Sequence, residues 1–154
     1  MLTFVKQILR NSDGTSTIEL AVVFPVGMFL MLGAIDTSLG FAEKLRVEAA
    51  AARAVEQITA YSRVQTNYST SITEAATAAN VPVADVTVTN WLECNNVLTT
   101  PFTGTCPNSS DQIARFVKVA VRGKFQPSLN FKGFLTTDVN GFVRVEGDSS
   151  VRIQ

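Results

Sequence analysis

The sequence has no histidine, two cysteines, one tryptophan and no surplus of either charge, with 13 basic residues against 13 acidic ones in 154 positions. Without histidine the chain lacks the commonest general base and the commonest metal ligand. Two cysteines are too few for a four-ligand structural zinc site. No glycine-rich phosphate loop and no paired-carboxylate motif is present, so the reading is of a protein that is not an enzyme and needs no cofactor. The charge balance gives no field that would draw the chain to nucleic acid. At this length one globular domain and one membrane segment fit, but not two globular domains.

What the chain does have is a concentrated apolar run. Lys6, Arg10 and Asp13 are followed by a stretch from Leu20 to Ile35 that contains no charged residue. A helix from Thr15 to Ile35 would extend about 31 Å at ~1.5 Å per residue, close to the thickness of a bilayer's hydrocarbon core. The rest of the chain is too small to surround such a helix, so a membrane span is read rather than a buried core helix. Lys6 and Arg10 precede the span and hold that side in the cytoplasm, which sends the C-terminal part across the membrane.

Beyond Asp36 the pattern turns amphipathic. Phe41, Leu45, Ala49, Ala52, Val55 and Ile58 recur at helical spacing, with Glu43, Lys44, Arg46, Glu48, Arg53 and Glu56 between them. The alanine-rich run Ala49–Ala54 favours helix, and one helix from Thr15 to about Arg63 is expected. Polar residues 65–71 end it. Ser71 with Glu74 fits a capping box for a second helix through Ala79, which Pro82 terminates.

After Pro82 the period becomes two. Val86 and Val88, then Val117, Val119 and Val121, then Val143, Val145, Val151 and Ile153 alternate with polar neighbours, which predicts three or four antiparallel strands. Asn140-Gly141 signals a two-residue hairpin, and Glu146-Gly147-Asp148 a turn or a bulge in the last strand. The expected fold class is therefore α+β, a long N-terminal membrane-spanning helix packed on a small antiparallel sheet. Cys94 and Cys106 enclose a loop rich in Asn, Thr, Pro and Gly. A disulfide is expected there, with two unpaired thiols as the alternative. Residues 95–110, just after Trp91, are the candidate partner-contacting loop; the plainer alternative is a solvated connection with Trp91 in the core. Phe125, Phe131, Phe134 and Leu135 form a second apolar cluster, read first as packing against the stem or the membrane-proximal side of the sheet.

Gly14-Thr15-Ser16-Thr17-Ile18-Glu19, between a short charged leader and the span, looks like a prepilin processing site, with cleavage after Gly14 and glutamate at the fifth mature position. The longer string Glu19-Leu20-Ala21-Val22-Val23-Phe24-Pro25, running on through Gly33-Ala34-Ile35-Asp36, resembles the N-terminal segment of TadE-like proteins of the tight-adherence pilus system. Thr15, where ordinary type IV pilins carry phenylalanine, favours that branch. The resemblance implies a pilin-like organisation: leader 1–14, transmembrane and amphipathic helix 15–63, extracytoplasmic α+β domain 64–154. It implies a minor pilin or pseudopilin processed by a prepilin peptidase, with other major and minor pilins and the inner-membrane assembly platform as partners. The chain would sit in a bacterial inner membrane with its C-terminal domain in the periplasm, then in the pilus at the cell surface. Glu19 would pair with the new N-terminal amine of Thr15 on a neighbouring subunit. A carboxylate near the start of a membrane helix is costly, and such a partner offsets the cost. Pro25 cannot donate a backbone hydrogen bond, so a kink or local melting over Ala21–Pro25 is expected. The rival reading is a secreted or single-pass envelope binding protein whose signal sequence is cut near Gly40 and Ala42.

Overall fold

A computed structural model describes residues 15–60, 67–99, 101–128 and 137–154, with side chains from residue 18 onward. Gly14, Phe131, Phe134 and Leu135 lie outside the described residues. Helix α1 spans Thr15–Ala60, with Pro25 inside it, and the helix is continuous over Ala21–Pro25; whether the axis kinks there is a separate matter of geometry. Proline removes one N–H and disturbs one turn only, and the remaining i→i−4 bonds on either side keep the helix continuous. The chain divides into two compact units, Met1–Ser38 and Leu39–Gln154. The boundary falls inside α1, so the helix from Leu39 on belongs to the second unit.

Helix α2, Ser69–Ala79, starts two residues before the expected capping serine. Ser71 lies buried inside the helix, so the capping box does not form. Instead Asn67 Oδ1 accepts the Ser69 N–H at 3.0 Å, satisfying one of the donors that a helix start leaves open. At the other end Asn80 turns left-handed (φ 52°), and its N–H donates to the Ala76 and Thr77 carbonyls. This is an αL stop of the kind asparagine tolerates.

A 3₁₀ turn at Val83–Asp85 leads into strands β1 (Val86–Cys94), β2 (Val97–Thr99), β3 (Ile113–Phe125) and β4 (Val143–Arg152). They form one antiparallel sheet in the order β2-β1-β3-β4. The tight hairpin is at Asn95-Asn96, both at positive φ (52° and 64°), with Cys94 opposite Val97; this is the pattern of a primed two-residue turn. Asn140-Gly141 instead closes a three-residue loop. Asp138 N–H donates to the Phe142 carbonyl at 2.8 Å and Gly141 N–H to the Asp138 carbonyl at 3.0 Å. Gly141 takes the positive φ of 80°, while Asp138 Oδ1 accepts from Asn140 N–H and Phe142 N–H. The aspartate adds its own acceptor to the turn, and that moves the loop from two residues to three.

Glu146-Gly147-Asp148 forms neither turn nor bulge. Its residues pair in register with Arg122, Val121 and Ala120 inside β4. The reason for the glycine is helix packing: a Cβ there would lie 2.4 Å from the Glu48 nitrogen and 2.6 Å from the Val47 carbonyl carbon. The sheet backbone touches the helix backbone at this point, and any side chain would force them apart. A Cβ at Gly123 would lie 2.7 Å from Val47 Cγ1, and one at Gly40 would lie 2.8 Å from the Phe125 ring.

These contacts set the phase of α1. Val47, Ala50, Ala51, Ala54, Val55 and Ile58 are buried with Val117, Val119 and Val121 of β3. Of the stripe expected from sequence, Val55 and Ile58 are buried, but Phe41 is 65% and Leu45 49% exposed, and Ala49 is exposed and Ala52 half-buried. The sheet selects the face with the smallest side chains because helix and glycine-lined sheet then approach most closely, and dispersion contacts grow as the gap closes. Ala75, Ala76 and Ala79 of α2, with Tyr68 and Phe102, complete the core.

Candidate functional site

Among the described residues of the first unit, the apolar side chains of the helix are left exposed. From Leu20 to Met31 the large apolar residues are each 55–71% exposed, and α1 is a helix long and apolar enough to cross a membrane. Water cannot be the natural solvent of such a surface, since a contiguous patch of this kind marks contact with lipid or with other apolar helices.

Thr15 is the first residue of the helix. Glu19 lies one turn further and is exposed, with no ion pair among the described residues. Thr15 and Glu19 are thus brought onto one helix start, Pro25 follows further along the same apolar surface, and the cysteines lie on the separate sheet domain. Among the described residues no group of acidic or cysteine side chains could hold a metal ion.

The profile of the family described as "TadE-like protein" matches residues 14–56. This segment is TadE-like. The match covers α1 almost to its end and stops before the sheet, so the TadE-like part is the apolar span together with the helix face on which the domain is built. It supports a protein associated with the tight-adherence pilus and with other components of that pilus. The family is structural and not known as enzymatic. No curated protein and no solved structure matches this chain.

Away from the TadE-like helix, the loop after β2 is more ordered than a solvated connection. The Cys94 and Cys106 sulfurs lie 2.04 Å apart with Cα atoms separated by 5.7 Å. Phe102 inside the loop is buried in the core. Arg115 of β3 is buried as well; its Nε donates to the Phe102 carbonyl at 3.0 Å and Nη2 to the Gly104 carbonyl at 2.7 Å. Nη1 donates to Gln154 Oε1. One guanidinium thus ties the cysteine loop to the C-terminal residue through its fixed fork of donors. Nothing in the local pattern marked Arg115, because an arginine between apolar neighbours on a strand reads as an outward-facing charge. Trp91 is neither in the core nor free. It stacks on Phe116 with ring centroids 5.3 Å apart, and its Nε1 donates to Glu93 Oε1 at 2.8 Å, on the face of the sheet away from α1.

Proposed function

We propose that the chain is a minor pilin or pseudopilin that takes part in assembling a tight-adherence pilus by packing its apolar helix against the helices of other pilins. The observation that carries this reading is the exposed surface from Leu20 to Met31 on a TadE-like helix. Prepilin peptidase cuts after Gly14, which frees the amine of Thr15. The chain anchors in the inner membrane with its sheet domain on the periplasmic side and waits there for assembly. Glu19, exposed and without an ion pair among the described residues, pairs with the Thr15 amine of a neighbouring subunit. Pro25 sits on the packing surface, where adjacent helices take up the missing hydrogen bond.

The rival, cleavage near Gly40 and Ala42, has an observation against it. Gly40 is where the Phe125 ring packs on the helix, so a cut there would remove part of the domain's own support.

Two measurements test the proposal. N-terminal sequencing of the native protein returns Thr15 as the first residue, and Gly14→Leu leaves the leader attached; a start at Phe41 or Glu43 selects the rival. Glu19→Gln leaves expression, leader cleavage and membrane insertion intact but reduces co-purification with partner pilins and surface piliation. The defect exceeds that of an exposed ion pair because removing one member of a buried pair strands the other charge in low dielectric. Unchanged co-purification and unchanged piliation together would reject the pairing.

A further inference from the structure

The cysteine loop is held on both sides of Cys106 by contacts that do not involve sulfur. Two residues before Cys106, the Gly104 carbonyl accepts from Arg115 Nη2 at 2.7 Å, and the Gly104 N–H closes a turn on the Pro101 carbonyl at 2.9 Å. Two residues after it, the Asn108 N–H donates to Asp111 Oδ2 at 3.2 Å. Asp111 Oδ1 in turn accepts from Asn95 Nδ2 at 2.7 Å, and Asn95 follows Cys94 directly. Phe102 belongs to the core. The two cysteines thus lie among groups that are already placed, with Cα atoms 5.7 Å apart.

Arg115 is the member of this frame that joins separate strands. It is 7% exposed and sits in β3 opposite Leu92 of β1. Its guanidinium reaches the loop through the Phe102 and Gly104 carbonyls and, through Nη1, the side chain of Gln154, which follows β4. Its own N–H donates to the Gln154 carbonyl at 3.0 Å, and its carbonyl accepts from the Ile153 N–H at 2.8 Å. A guanidinium taken out of water needs acceptors for its donors. Pairing of β3 with β4 brings up the Gln154 acceptor, and folding of the loop over Arg115 supplies the other two. Seating of the loop is therefore favoured as soon as β3 and β4 are joined, whether or not the sulfurs are.

We propose that Arg115 is a positioning residue for the disulfide: its grip on the Phe102 and Gly104 carbonyls seats the loop in the reduced protein and brings Cys106 to Cys94. The fold then acts as a redox latch with a set order, pairing of β3 with β4 first and covalent closure second. The oxidant is an external disulfide such as oxidised glutathione. The thiolate of one cysteine attacks a glutathione sulfur and releases one glutathione; the sulfur of the other cysteine then displaces the second. Two cysteine thiols are oxidised, one disulfide is reduced to two thiols, and the two cysteine protons pass to the departing glutathiones. Arg115 takes no part in these bonds. It raises the effective concentration of one cysteine at the other, which is high in a seated loop and low in a loose one.

The test equilibrates the full chain, in detergent micelles, with mixtures of reduced and oxidised glutathione. Acid quenching, alkylation and mass spectrometry of the Cys94 and Cys106 peptides give the effective concentration of the pair. Arg115→Met, of similar length but without the donors, is expected to lower it roughly tenfold, and Gln154→Ala, which frees one arm of the guanidinium, about threefold. In concentrated urea, where no loop is seated, the wild type and both variants are expected to agree. A residue that only stabilised the sheet would weaken the oxidised and reduced forms alike and leave this ratio unmoved. Emission of Trp91, which stacks on Phe116, reports whether the sheet is formed in each variant. An unchanged native-state ratio in Arg115→Met, or in Gln154→Ala where Arg115→Met does not fold, would overturn the proposal. A second measurement leaves Arg115 in place. With Cys94 and Cys106 both replaced by serine, the Gly104 amide is expected to stay protected from hydrogen exchange, and exchange at the unfolded rate beside native Trp91 emission would overturn the proposal equally.

Discussion

The two parts of α1 both carry apolar side chains but have opposite fates. From Leu20 to Met31 every large apolar side chain is exposed, whereas from Val47 to Ile58 one face is buried under a sheet of the same chain. The difference does not lie in hydrophobicity, which is greater in the first part. It lies in whether the chain supplies a surface of matching shape. Glycines at 123 and 147 let the sheet reach the alanine face of the second part, whereas the large apolar side chains of the first part are exposed among the described residues. An apolar helix surface this exposed calls for lipid or another chain, and the TadE-like match falls on the helix that contains both parts.

Forcing the second part to resemble the first is the most severe test of this contrast. Gly147→Val inserts a side chain where a Cβ alone would lie 2.4 Å from helix backbone. Because backbone cannot give way as a flexible side chain can, the substitution is expected to cost more than about 3 kcal/mol. The domain should lose its cooperative thermal transition while the chain remains in the membrane fraction. A folded domain with an unshifted midpoint would show that the close approach at Gly147 is not what joins helix to sheet.

Opening the cysteine loop acts at the end of the domain far from Gly40. Replacing both Cys94 and Cys106 with serine frees a loop with a sequence separation of 12 and is expected to destabilise the domain by about 3 kcal/mol in the chain-entropy account. Membrane insertion should be unchanged, because it depends on the first part of α1. Denaturant unfolding of the domain, beside fractionation of cells, reads both. Mass spectrometry of unreduced peptides that finds two free thiols would remove the premise.

The phase of the helix is sharpened by a matched pair. Val47→Ala, at a fully buried position, should cost about 2 kcal/mol, whereas Leu45→Ala, at a position 49% exposed, should stay within about 0.5 kcal/mol. Equal losses in calorimetry would mean that the face expected from the sequence, and not the Val47 face, meets the sheet.

The smallest effect concerns acid. Hydrogen bonds from backbone N–H groups, led by that of Phe142, hold the Asp138 carboxyl below its ordinary value of 3.8, and Arg144 and Lys124 add to the depression. A carboxyl depressed in the folded state stabilises the fold above its unfolded value and loses that contribution as the pH falls through the folded one. Asp138→Asn should therefore matter slightly at neutral pH and not at all well below pH 3.8. A difference in midpoint that persists undiminished into strong acid would show that the charge is not the stabilising feature.

The sequence by itself determined the long apolar N-terminal helix, the two-residue period of β1, β3 and β4 and the antiparallel class of the sheet. Each is a property of neighbours along the chain: an unbroken run of apolar residues, or strict alternation in a β-branched segment. It also placed α2 and its end at Ala79, although the helix start was misread because Asn67, a residue outside the helix, supplies the acceptor that Ser71 was expected to provide. Only the tertiary structure decided which face of α1 is covered, why Gly147 is glycine, that Asn95-Asn96 rather than Asn140-Gly141 makes the two-residue turn, and that Arg115 is buried. The physical reason is common to all four. A helix with apolar residues on two faces, a glycine in a strand, an Asn-Asn pair and an arginine between alanine and phenylalanine each permit more than one local solution. The choice is made by groups distant in sequence: the Glu48 backbone at Gly147, Val97 across from Cys94, the Asp138 carboxylate at the second loop, and the carbonyls of Phe102 and Gly104 at Arg115.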